Sequence, residues 1–332
     1  SERIKAAPLL ILTAALFLFS GCQKEAGSKY PGPVENVTFG VASIDASSLV
    51  YIAHARGLFA GHGLDVNIIE YTAGVIAAED LLQNRLDVVT ASEFVVVNKH
   101  SLRPDVRILA SIARPDSHEV IARKDRGITE PAHLKGKRIA VTHHSSGDFF
   151  LGTFLTHHGI PVESVTYVDL PPPKILAALS SGAVDAAMTW EPTVAKIKER
   201  LGPNAVHWPG QSGRGYYWVL MTRDDFIKKR PVAAERLIAA LLDAEKYTAE
   251  HTPEAQELIA RRLGYDPALL RSLWSRCDFR IRLDQDLLIL MEDEARWTIR
   301  RQYPTKEMPN YLDVIHWESI EKIKPEAVSI IH

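Results

Sequence analysis

The residues best equipped for chemistry lie in the turn THHSSGDFF, Thr142–Phe150, which joins a β-type run, KRIAVT, to an apolar-periodic one. Ser145 and Ser146 bring hydroxyls, and Gly147 lets a ligand approach the backbone. The first amides of a helix have no partner within it, so such a turn suits an oxyanion. Asp148 sits in the same turn and points the other way. Either Ser145 and Asp148 form a capping box that satisfies the helix's own amides, or the carboxylate meets an amino group or ring nitrogen. Two more acids close similar segments, LLQNRLDVVTASE ending at Glu93 and LSSGAVDAAMTWE ending at Glu191. Each segment reads as a helix end, a turn and a short buried strand, with Asn84 and Gly182 at equivalent positions that tolerate left-handed backbone. Ligands in open α/β sheets sit beyond the carboxyl ends of strands. The echo therefore suggests two similar halves with a cleft between them. Taken alone, Glu93 could be a solvated surface acid, and Glu191-Pro192 could be an ordinary helix boundary with Pro192 at the first helical position.

Other reactive groups are sparse. His143-His144 and His157-His158 are adjacent pairs that cannot easily face one ion, and no acid or cysteine completes a ligand spacing, so no metal site is expected. There is no G-x-S-x-G elbow, Walker loop or H-E-x-x-H, and no cofactor is expected. The two cysteines are Cys22 and Cys277; Cys277 reads as a small core hydrophobe.

The elements that must position these groups follow an alternating pattern. Strand candidates are VTFGVA, LDVNIIEY, DVVTAS, VRILASIA, HEVIARKD, KRIAVT, SVTYVDL and DAAMTW, most of them separated by helical periodicity. One helical stretch, SSLVYIAHARGLFAGHG, ends at glycines. The alternation implies an α/β fold with largely parallel sheets. Residues 224–332 are dominated by helical periodicity whose apolar stripes face a core.

The chain has 332 residues, 46% of them hydrophobic and 24% charged, with a formal net charge of −2. That is enough for one large or two medium domains, and it carries no electrostatic footprint for nucleic acid. Arg3 and Lys5 precede an apolar run from Ala6 to Phe19, followed by Ser20-Gly21-Cys22. The run is short for a membrane span, which needs about 20 residues, and reads as an export signal. Its end resembles a bacterial lipoprotein signal, with residues 1–21 removed and Cys22 acylated. Phe19 stands where that signal usually has leucine, with Leu18 just before it. The polar, Gly- and Pro-containing segment 22–35 then reads as a tether.

VTFGVA…ARGLFAGHGLDVNIIEYTAG, LLQNRLDVVTAS, LKGKRIAVTHHSSGDFFLGTFL, VTYVDLPP and LSSGAVDAAMTWEP occur in this order between about residues 37 and 217. Together with the export signal, they resemble the periplasmic solute-binding proteins of the nitrate/sulfonate/taurine and thiamine-pyrimidine-precursor group. The resemblance implies a type II binding-protein fold of two doubly wound α/β lobes joined by two crossover hinges. One lobe would take residues 36–115 and 218–332, the other 116–217, with RPDS (114–117) and GRGYYW (213–218) as crossings. It also implies a monomeric receptor, lipid-anchored on the extracytoplasmic face, that captures a small solute and passes it to an ABC permease with its cytoplasmic ATPase. Pyrimidine-precursor synthases are a runner-up, although their cysteine-rich motif is absent here; a sensing lobe for a membrane sensor is a third reading. Carried over by position, the resemblance puts Ser43, Asp45, Thr72, Ser92, Glu93, Arg114, Ser145, Ser146, Gly147, Asp148, Trp190, Glu191 and Tyr217 around the cleft. Asp45, Glu93, Asp148 and Glu191 would crowd it with negative charge, which is costly without partners. Arg114 could neutralise one acid, and an amine-bearing solute another, with the nearby aromatics stacking on it. An aminosulfonate or aminopyrimidine therefore fits better than nitrate.

Overall fold

A computed structural model describes residues 30–211, 213, 215–302 and 307–332 of the chain. Cys22 and the segment that reads as an export signal lie outside the described residues. Strands β1 (Glu35–Ala42), β2 (Leu64–Tyr71), β3 (Val88–Ser92) and β4 (Val106–Pro115) come first, followed by β5 (His118–Arg123) and β6 (Arg138–Val141). Then come β7 (Thr166–Asp169), β8 (Ala186–Trp190), β9 (Ala205–Pro209), β10 (Trp218–Arg223) and β11 (Cys277–Asp278). They form two sheets, ordered β11-β4-β10-β3-β1-β2 and β7-β6-β8-β5-β9. Each sheet is the centre of one α/β lobe, as the internal echo and the resemblance both imply.

The two echo segments become equivalent elements. β3 and β8 are interior strands of their sheets, and every residue in both is buried. That is why they read as continuous apolar runs without alternation. The turn before each contains a left-handed residue, Asn84 at φ 59° and Gly182 at φ 78°.

Three expectations need correction. The sheets are mixed, since β10 lies antiparallel between β3 and β4, and β5 antiparallel between β8 and β9. β5 and β10 are the strands on which the chain enters each lobe from the other, so no βαβ crossover imposes a parallel direction on them. The predicted helix over residues 47–63 is two, Ser48–Ala55 and Leu58–Gly61, because Gly57 at φ 68° cannot continue a right-handed helix. β9 was not foreseen; it is a short, half-exposed edge strand without a clear apolar alternation.

The C-terminal third is helical, as its periodicity predicts. The helix Pro231–Glu250 packs on Ser48–Ala55 in the first lobe. The helix Gln285–Gln302 packs on Glu93–His100. From it, Trp297 reaches Phe94 (ring centroids 5.8 Å apart) and, in the second lobe, Phe149 (5.6 Å, interplanar angle 88°). The lobes are therefore joined by an aromatic contact as well as by the two crossings.

Candidate functional site

The lobes are closed against each other over a cavity of about 20 Å³, room for about one water. The first lobe contributes Ala42, Ile44, Ala73, Gly74, Val75, Ser92, Val95 and Trp218 to its wall. His118, Ser145, Ser146 and Trp190 come from the second, and Tyr216 from the return crossing. The walls are strand ends and helix starts, as expected for this architecture. The helix Gly74–Leu82 begins at the cavity with no side-chain cap from Ala73, which leaves its first amides without an internal acceptor. It can lie so close because residue 74 is glycine: a Cβ there would come within 2.7 Å of Ala91 Cα and 2.8 Å of the Thr90 carbonyl oxygen. Beside it, the Ser92 hydroxyl is buried and has no hydrogen-bond partner among the described residues.

On the opposite wall the opening turn is more committed than its residue types suggest. Ser145 caps the helix Ser146–His157: its hydroxyl accepts from Gly147 N (3.2 Å) and donates to the Thr142 carbonyl (2.6 Å). Asp148 Oδ2 accepts from His144 N at 3.1 Å. The carboxylate thus serves its own helix start, a variant of the capping box reaching one residue further back. The Ser146 hydroxyl lies 3.0 Å from His118 Nε2. His118 is 2% exposed, enclosed by the rings of Tyr216 (4.9 Å), Phe150 (5.1 Å) and Trp190 (5.4 Å). Burial pushes its imidazole down to about 3, so it is neutral near pH 7.

The four acids are all buried, yet among the described residues none of them lines this cavity. Glu93 Oε1 accepts from Tyr217 N (2.9 Å), and the Glu93 amide donates to the Tyr217 carbonyl (3.1 Å), tying a strand end to the second crossing. Burial pushes its carboxyl up to about 8, despite those backbone donors and the nearby Arg114. Glu191 Oε2 accepts from Ala195 N (2.8 Å) in the first turn of the helix Thr193–Leu201. Its carboxyl is also pushed up, by burial first and by Glu119. Pro192 precedes that helix and does not occupy its first position; the Glu191–Pro192 peptide is cis. Asp45 is pushed up to about 7, by burial first and then by Glu191 across the lobes, with its own backbone amide and Arg276 opposing.

The other expected positions fall into two groups. Ser43 and Thr72 line an outer groove of about 300 Å³ with Pro172, Thr193 and Lys196. Ile44 and Trp190 stand in the walls of both this groove and the cavity. Arg114 and Tyr217 face a different groove: the guanidinium lies 4.5 Å over the Tyr217 ring, and the Tyr217 hydroxyl donates to Asp284 at 3.3 Å. Of the thirteen expected binding residues, Ser92, Ser145, Ser146 and Trp190 share the inner cavity, and Gly147 lies behind its wall, against Trp190. His118 and its partner Gln211 escaped the sequence reading. A histidine on the first residue of a strand just past a crossing was the available signal; nothing local marks Gln211. Among the described residues no group of side chains is arranged to hold a metal ion, and no helix is long and apolar enough to cross a membrane.

Comparison with known proteins agrees with this fold. The chain is 29% identical over 215 residues to the taurine-binding periplasmic protein of Escherichia coli K12, covering 64% of this chain and 66% of that one. It superposes on the alkanesulfonate-binding protein SsuA of Xanthomonas axonopodis pv. citri, bound to MOPS, with a TM-score of 0.74 and 17% identity. That match covers 86% of this chain and 99% of SsuA. The desulfurization enzyme DSZB has the same fold, with a TM-score of 0.64, 18% identity and coverage of 87% and 99%. The fold is that of the periplasmic binding proteins, and it alone does not decide between binding and catalysis. The model of the family described as NMT1/THI5 like matches residues 46–255, more than half of the sequence; the chain belongs to the NMT1/THI5-like family.

Proposed function

We propose that the protein is the extracytoplasmic receptor of an ABC importer, closing two lobes over a small organic solute that carries both an acidic and an amino group. The observation that carries this reading is the cavity itself, where helix starts and strand ends from both lobes meet over unspent polar groups. In the closed form it is smaller than any organic solute, so capture requires the lobes to part, hinging at residues 114–117 and 213–218 between lobes of 36–115 plus 218–332 and 116–217. The first amides of Gly74–Leu82 and the Ser92 hydroxyl are donors suited to a sulfonate or carboxylate. The taurine-binding relative supports an aminosulfonate over an aminopyrimidine. The receptor works as a monomer tethered through acylated Cys22 after loss of residues 1–21, and hands its solute to a permease driven by a cytoplasmic ATPase.

The contact between Ser146 and His118 has the outline of a nucleophile and its base, but an imidazole held near 3 is a weak base at neutral pH. The receptor reading therefore predicts binding without turnover. Calorimetric titration of the purified protein with taurine should give a micromolar one-site isotherm, and mass spectrometry should recover the solute unaltered. An altered product would make the protein an enzyme, and silence toward aminosulfonates and related amino acids would end the receptor reading.

A further inference from the structure

The hydrogen-bond polarity around His118 is fixed atom by atom. Gln211 Oε1 lies 2.8 Å from Ser117 N, 3.0 Å from His118 N and 3.2 Å from His118 Nδ1, while Gln211 Nε2 donates to the Pro115 carbonyl at 3.1 Å. Backbone amides only donate, so the Gln211 atom facing them is the oxygen. An oxygen only accepts from a ring nitrogen, so Nδ1 carries the proton. A neutral imidazole has a single N–H; Nε2 is therefore bare, and the Ser146 hydroxyl must give its proton to it. The proton of Ser145 is likewise committed, to the Thr142 carbonyl. Asp148, in the first turn, already supplies the negative charge that this helix start favours.

We infer that Gln211 and His118 are positioning residues that fix Ser146 as a hydrogen-bond acceptor toward the cavity, so that the second lobe selects an N–H or ammonium group on the solute. The two serines that look like anion donors in the sequence thus present lone pairs. The donors for an acidic group stand on the other wall, at Gly74, Val75 and Ser92. The inference rests on the receptor reading of the cavity and adds the basis of its selectivity: the amino group is read by the second lobe and the acid by the first.

The test pairs a spectroscopic readout with a selectivity switch. Nitrogen-15 NMR of the unliganded protein should find His118 with its proton on Nδ1. Wild type should bind taurine at least tenfold more tightly than ethanesulfonate, which lacks only the amine. His118→Phe keeps an aromatic ring among Phe150, Trp190 and Tyr216 but removes the acceptor, freeing the Ser146 hydroxyl to donate. The taurine preference should then fall below threefold, with ethanesulfonate binding improved. Ser146→Ala should also lose the preference, without that gain, and it serves if His118→Phe does not fold. A proton on Nε2, or a preference that the variants leave unchanged, overturns the inference while taurine binding keeps the receptor reading intact. If wild type binds neither compound, the receptor reading for this solute class falls, and the inferred selectivity with it.

Discussion

At the scale of single residues, burial governs chemistry here more than charge pairing does. Asp45 illustrates it. Its carboxyl is held near 7 in the folded protein against an ordinary value of 3.8. Below about pH 4 both folded and unfolded forms carry the proton, and this group makes no difference to stability. As pH rises from 4 to 7 the unfolded chain has lost the proton and the folded one keeps it, so stability falls, by at most about 1.4 kcal/mol per pH unit. Asp45→Asn removes that slope. The melting temperature of the variant relative to wild type should climb between pH 4 and pH 8; a difference that stays flat would show that Asp45 ionises freely. His118 has the opposite sign: its folded value near 3 lies below the ordinary 6.5, so its contribution is lost as pH falls through the window between them.

At the scale of elements, the helix Ser146–His157 shows how polar side chains at a helix start can be used up locally. Ser145 and Asp148 satisfy backbone amides at Gly147 and His144. Replacing the cap, Ser145→Ala, should cost about 1 kcal/mol, within the usual range for lost caps. Asp148→Ala should lower the melting temperature by a comparable amount and leave solute affinity within threefold, checked by calorimetry beside thermal denaturation. A tenfold loss of affinity with unchanged stability would instead make Asp148 a ligand contact. The start of Gly74–Leu82 behaves differently because it has no side-chain cap and sits against β3. Gly74→Ala forces a shift of backbone against backbone, so it should impair both folding and binding.

At the scale of the whole molecule, closure joins parts far apart in the chain. Trp297, on the C-terminal helix, touches Phe94 in one lobe and Phe149 in the other. Trp297→Ala should loosen this link and shift the unliganded protein toward an open form, seen as a larger radius of gyration in small-angle scattering. Its stability cost should stay below the roughly 3–5 kcal/mol of a fully buried aromatic, since the indole is half-buried. Solute should restore the compact radius. An unchanged radius in the variant would mean that the Trp297 contact does not hold the lobes together, leaving that to the crossings and to the direct contact of Phe94 with Phe149 (5.6 Å).

Much of this was legible in the sequence for physical reasons that act over short range. Strand alternation, helix periodicity, and the left-handed turns at Asn84 and Gly182 depend on local sterics and on which face is buried, so two α/β halves with strand-end residues at a cleft could be written down without coordinates. Local chemistry also held both options for Asp148 and Glu191, helix cap or ligand contact. Only the tertiary structure decided how the polar atoms pair. The partner of the Ser146 hydroxyl is 28 residues away and that of His118 is 93, and β5 and β10 take their direction from crossings between lobes. A hydrogen bond has a direction that depends on both of its ends, and no single segment contains both. That is why the serines read as donors in the sequence and stand as acceptors in the folded protein.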